Sequence, residues 1–123
     1  MNDILDITGK QIIENVRDLT IYKIDKVITG EVKSEQAQCI YQGLSNIDAK
    51  DKKAIKNLIL LTVDSSIHNL LCLMEESDDI DISFASSEET IPKLSEESDG
   101  FAGELYTEDG WIERFSQYPT LYK

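Results

Sequence analysis

Along residues 8–76 the apolar positions recur at helical spacing. Ile12, Ile13, Val16 and Leu19 fall three or four residues apart, and Ile21, Ile24, Val27 and Ile28 prolong the series. Thr8-Gly9-Lys10-Gln11 ahead of them fits a capping box, in which hydroxyl and amide satisfy each other's orphan backbone donors. A bend is expected near Asp18-Leu19-Thr20, and Gly30 offers the left-handed residue that stops a helix. Ser34 can cap a further helix with Glu35 in its first turn; Ala37, Ile40, Tyr41 and Leu44 form its stripe, and Ser45-Asn46 end it.

Asp48 caps the longest segment, Ala49 to about Glu76. Ile55, Ile59, Val63, Ile67, Leu70 and Met74 make one stripe, which Leu58, Leu61 and Leu71 widen. That breadth predicts a central helix with neighbours on several sides. Its charges oppose its own dipole, with Lys50, Lys52 and Lys53 at the positive end and Glu75 and Glu76 at the negative one. Burial therefore has to stabilise it.

Past residue 76 the period changes. Ile80-Asp81-Ile82-Ser83-Phe84 alternates as a half-buried strand does. Ala85 to Glu97 is Ser/Glu-rich, is broken at Ile91-Pro92 and is expected to be loop, and Asp99-Gly100 signals a turn. Asp109-Gly110, between Glu104-Leu105-Tyr106-Thr107 and Trp111-Ile112-Glu113-Arg114-Phe115, carries the signature of a type I′ hairpin. The expected fold is α+β and mostly helical: four or five helices around the long one, with a small C-terminal β element. Residues 1–123 form one domain, 1–76 its helical part and 77–123 an acidic part with short strands and a hairpin. A chain of this length can bury roughly two-thirds of its unfolded surface.

Charge sharpens the division. Residues 1–61 hold nine acids and nine bases, whereas 62–123 hold fifteen acids against Lys93, Arg114 and Lys123, which accounts for the whole net charge of −12. Such a field opposes contact with nucleic-acid phosphates and anionic membranes. It would steer a basic protein partner toward the second half, at a rate that falls with salt. Solubility alone would also explain an acidic excess, although concentration in one segment gives the binding reading equal weight. The N-terminus lacks a basic region followed by an apolar run, and no stretch approaches the ~20 apolar residues of a membrane span, so a soluble, cytoplasmic protein is expected. Cys39 and Cys72 have no CxxC neighbour and are expected to be reduced and buried.

Chemistry is sparse. Asp64 and the single histidine, His68, stand four apart on the long helix and can meet on one face. They form either a structural pair, with Asp64 satisfying a ring nitrogen, or the start of a metal or hydrolase site. Ser65 and Ser66 adjoin them without a nucleophile elbow. Asp78, Asp79 and Asp81 lack the glycine and spacing of an EF-hand, and neither a P-loop nor a dinucleotide fingerprint occurs. No cofactor, catalytic residue or metal ligand is therefore assigned. Ser98 to Trp111 is the most distinctive stretch, joining acidic turns to the only tryptophan, a combination found at interface hot spots. Asp78, Asp79, Asp81, Glu96, Glu97, Asp99, Glu104, Glu108 and Asp109 are the candidate partner-binding acids, with Tyr106 and Trp111 as apolar anchors.

Ser98-Asp99-Gly100, Gly103-Glu104-Leu105-Tyr106, Asp109-Gly110-Trp111-Ile112 and Phe115-Ser116-x-Tyr118 resemble the ending of a family of small, uncharacterised bacterial proteins. Thr8-Gly9-Lys10 and Asp64-Ser65-Ser66-Ile67-His68-Asn69-Leu70-Leu71 extend the likeness over nearly the full chain. The resemblance implies no activity. Size and acidity are similar to those of immunity proteins, which shield bacteria from their own nucleases and other polymorphic toxins. The leading expectation is thus an acidic protein-binding domain that neutralises a basic toxin. The rivals are a metal-binding protein or hydrolase using Asp64 and His68, and an assembly protein, with a homo-oligomer as one form, whose acidity only solubilises it.

Overall fold

The computed structural model describes residues 3–85 and 90–123. Asp3–Ile12 (α1), a π-helical segment Ile13–Asp18 and Leu19–Ile28 (α2) form one continuous helical run. Thr8 lies buried inside α1, so the expected capping box does not form. The backbone stays helical through Asp18 and Leu19, where a bend was expected, and the π segment lies just ahead of Leu19. Its longer i→i+5 turn lets Ile13, Arg17 and Asp18 all face inward. Gly30, at φ +81°, stops α2 as expected. Ser34 and Asp48 cap α3 (Glu35–Leu44) and α4 (Ala49–Glu76), accepting the N–H groups of Ala37 at 3.3 Å and Asp51 at 2.8 Å.

The long helix α4 runs through the middle of the fold for about 42 Å at 1.5 Å per residue. Its buried residues are Leu60, Asp64, Ile67 and Leu71, rotated from the stripe that sequence favoured. Neighbours do not enclose it. Leu58 and Leu61 are each 61% exposed on its other side, with Leu70 and Leu73 also open. One stretch of α4 is, by length and composition, apolar enough to cross a membrane, which corrects the expectation that none approaches it.

The C-terminal part folds back over the second half of α4. Phe84–Ala85 (β1) pairs antiparallel with Thr90–Ile91 (β2), in register Phe84↔Ile91 and Ala85↔Thr90. Of the strand expected over Ile80–Phe84 only the end is strand, and the expected loop contains β2 and a 3-10 turn at Leu94–Glu97. Residues 86–89 of that loop lie outside the described residues. The hairpin around Asp109-Gly110 does not form. Ala102–Leu105 is a 3-10 turn, Trp111–Phe115 is a helix (α5), and Gly110 caps it at φ −79°. A strand would send Trp111 and Ile112 to opposite faces, yet both are buried, and only a helical turn turns two adjacent residues inward here.

The core gathers Leu5 and Ile13 with Ile67 and Leu71 of α4, Leu94, Phe101, Leu105, Trp111 and Ile112. Phe101 meets Trp111 edge-to-face at 5.9 Å. Gly9 lies against the indole so closely that a Cβ there would sit 2.3 Å from Nε1. That indole N–H is buried without a hydrogen-bond partner. Toward the other end of α4, residues of α2, α3 and α4 line an apolar groove of about 470 Å³, among them Ile24, Ile28, Ile40, Leu44, Leu58 and Ile59.

Candidate functional site

Two polar regions flank the core: a buried one under the C-terminal tail and an exposed acidic one around the turns. The buried region is organised by Arg17, whose side chain is fully enclosed. Its Nε donates to Asp64 Oδ1 at 2.6 Å and its Nη2 to Asp64 Oδ2 at 3.2 Å, a bidentate pair. Nη1 donates to Ser116 Oγ at 2.6 Å and the Tyr118 carbonyl at 3.1 Å, and Nη2 to the Pro119 carbonyl at 2.9 Å. All five guanidinium N–H groups are thereby used. Asp18 accepts from Ser116 Oγ at 2.6 Å and the Gln117 N–H at 2.9 Å, with its Oδ1 3.7 Å from Arg17 Nη1. The cluster ties the π segment, α4 and the tail together, and leaves no guanidinium donor for a ligand.

Asp64 therefore does not serve His68, which corrects the expected pairing. His68 stacks beside Tyr106, ring centroids 5.2 Å apart, with Cys72 Sγ 3.7 and 3.8 Å from its two ring nitrogens. Near-equal distances place the sulfur against the ring rather than on a nitrogen lone pair. Tyr106 is held above its ordinary pKa chiefly by burial of its phenol, then by the charge of Asp64, while Arg17 and a hydrogen bond with Ser65 oppose the rise. Among the described residues no three His, Cys, Asp or Glu side chains gather to hold a metal. Cys39 is exposed rather than buried, and Cys72 only partly covered.

The candidate acids separate into two kinds. Asp81 is built into the fold: it accepts from the Ile82 N–H at 2.7 Å, from the Ser95 N–H and from Ser95 Oγ. Burial pushes its carboxyl up, but these hydrogen bonds outweigh it and hold the pKa below the usual range. Glu104 accepts from Ser98 Oγ at 3.1 Å and is half-buried. Asp78, Asp79, Glu96, Glu97, Asp99, Glu108 and Asp109 are exposed, and among the described residues none is in an ion pair. Of the two expected anchors, Tyr106 is 47% exposed, whereas Trp111 is wholly buried in the core and cannot touch a partner.

Arg17, Asp18 and Ser116 were missed in the sequence. Their signal was an arginine four residues from Ile13 in an apolar series, where a solvated helix face would not place it. No protein-family model matches the chain, and no curated protein and no solved structure is significantly similar to it.

Proposed function

We propose that this is a cytoplasmic protein-binding domain that captures a basic protein partner through its acidic C-terminal layer, as an immunity protein neutralises a cationic toxin. The observation that supports this reading is the row of seven exposed acids, Asp78 to Asp109, left without cationic partners among the described residues. They contribute nothing to the core beneath them, and their mutual repulsion disfavours the compact state, so a partner's lysines and arginines would relieve it. Tyr106 supplies an aromatic surface beside them. The hydrolase or metal alternative is weaker, because both Asp64 oxygens are engaged by Arg17.

A pull-down from the native organism at low and moderate salt tests this directly. Capture should fade as salt rises, since exposed charges are screened over about 10 Å at 0.1 M. Glu97, Asp99 and Glu108→Lys together should abolish it, while the equal charge change at Glu14, Glu31 and Glu35→Lys should leave it close to wild type. Equal losses would show that only total charge matters, and the acidity would then be solubility.

A further inference from the structure

We propose that Arg17, Asp18 and Asn57 form a track that recognises the main chain of an extended peptide, and that the chain's own C-terminal strap, residues 116–123, is the ligand that occupies it. The track uses none of the exposed acids on which the acidic-layer reading rests, so either can fail without the other.

Donors and acceptors along the track complement those of a peptide. Asp18 Oδ2 accepts the Gln117 N–H at 2.9 Å, and Arg17 donates to the Tyr118 and Pro119 carbonyls at 3.1 and 2.9 Å. Asn57 accepts the Tyr122 N–H at 2.7 Å and donates to the Tyr122 carbonyl at 3.0 Å, so one amide side chain satisfies both main-chain groups of one residue. Among the described residues, all five hydrogen bonds between residues 117–122 and the rest of the chain use main-chain atoms of the strap. Only Ser116, at its root, engages the track through a side chain. Gln117, Pro119, Thr120, Leu121 and Lys123 stand exposed, so side-chain identity adds little to the binding.

Spacing and charge define what the track accepts. Asn57 and Asp64 are seven residues apart on one face of α4, about 10 Å along the axis, and Asp64 fixes Arg17 by its bidentate pair. Three extended residues, from Pro119 to Tyr122, cover the same distance at about 3.3 Å each. Arg17 against Asp18 and Asp64 leaves a formal charge of +1 − 2 = −1, which disfavours a phosphate or carboxylate ligand and favours neutral main chain. Among the described residues, the hydrophobic core includes none of residues 116–123. The strap can therefore lift while the helices stay packed, with Arg17 still held by Asp64 and water taking its other donors. A peptide from another polypeptide then enters in its place, with a small hydroxyl residue first and proline tolerated fourth, where the strap donates no main-chain N–H.

Hydrogen exchange of the full wild-type chain should show the Gln117 and Tyr122 amides opening together, at least about tenfold more often than those of Leu60 and Leu71 and almost independently of urea. Exchange of all four only through global unfolding overturns the proposal, because the strap would then belong to the body. In the full-length chain, Gln117→Pro with Tyr122→Pro removes both strap N–H donors and leaves the track intact. The synthetic peptide of residues 116–123 should shift the Asp18 and Asn57 amide signals of this variant at millimolar concentration. It should bind wild type about tenfold more weakly, since the tethered strap competes at a high effective concentration. A peptide with its other residues scrambled, Ser first and Pro fourth, should bind within about threefold of the native order. Asn57→Ala in the proline variant should remove binding. The proposal is overturned by binding that survives Asn57→Ala, by no shift in the proline variant, by binding of the native order alone, or by a proline variant that has lost its helical circular dichroism.

Discussion

Replacing Asp64 by Asn removes the negative charge facing an enclosed guanidinium while barely changing side-chain volume. The Arg17 side chain has no accessible surface and that of Asp64 only 4%, so water cannot take over the lost interaction. The new amide group would also point a donor at an Arg17 N–H. Uncoupling a buried pair of this kind costs about 3–5 kcal/mol. The lower end applies here, because the Asp18 carboxylate stands 3.7 Å from Nη1 and keeps part of the charge balance. A loss of about 3 kcal/mol is a large share of the roughly 6–18 kcal/mol expected for a domain of this size. With an m-value of about 1–3 kcal/mol/M, the urea midpoint should fall by about 1–3 M, followed by the emission of the single, buried Trp111. Arg17→Met with Asp64→Leu should recover only part of the loss, since Ser116 and the Tyr118 and Pro119 carbonyls would still lack their donor. If Asp64→Asn shifts stability by less than about 1 kcal/mol, the cluster does not hold the fold together, and Asp64 becomes available for chemistry again.

Gly9→Ala should destabilise by about 1–2 kcal/mol, as the clash with the Trp111 indole exceeds the gain in helix propensity. Red-shifted emission and a lower midpoint would accompany it, and a variant more stable than wild type would contradict the packing described. Gly110→Val should cost more than about 1 kcal/mol, because its Cβ would meet the Glu104 carbonyl oxygen at 2.6 Å. Gly110→Asn decides the reason: asparagine tolerates the positive φ of a type I′ turn but not this contact, so a stable Asn variant would restore the hairpin.

What the sequence disclosed was local, and what it hid was tertiary. Gly30, Ser34 and Asp48 were legible because a cap is satisfied within a few residues of itself. Thr8 misled because a capping box is only a local option, and α1 had already begun five residues earlier. Asp109-Gly110 misled similarly: its intrinsic turn preference yielded to burial of both Trp111 and Ile112. Among the candidate acids, exposure followed the polar composition, but Asp81 and Glu104 found nearby hydroxyls that composition does not show. Arg17 and Asp64 are 47 residues apart, and His68, four residues from Asp64, was the partner that helical spacing could suggest. Breadth of the apolar pattern on α4 indicated a central helix; it could not say that one side would stay open.

The tail that closes over Arg17 sets an order of events during synthesis. Ser116, Tyr118 and Pro119 follow Arg17 by about a hundred positions, so the ribosome makes the cation well before three of its acceptors. At ~5–20 residues per second, that interval is about 5–20 s. Throughout it, the first helical run and α4 can associate only around a guanidinium still reaching toward water. Ser116 to Pro119 therefore act as a latch, and truncation before Ser116 would leave a nascent chain with its helices made but its innermost charge only half answered.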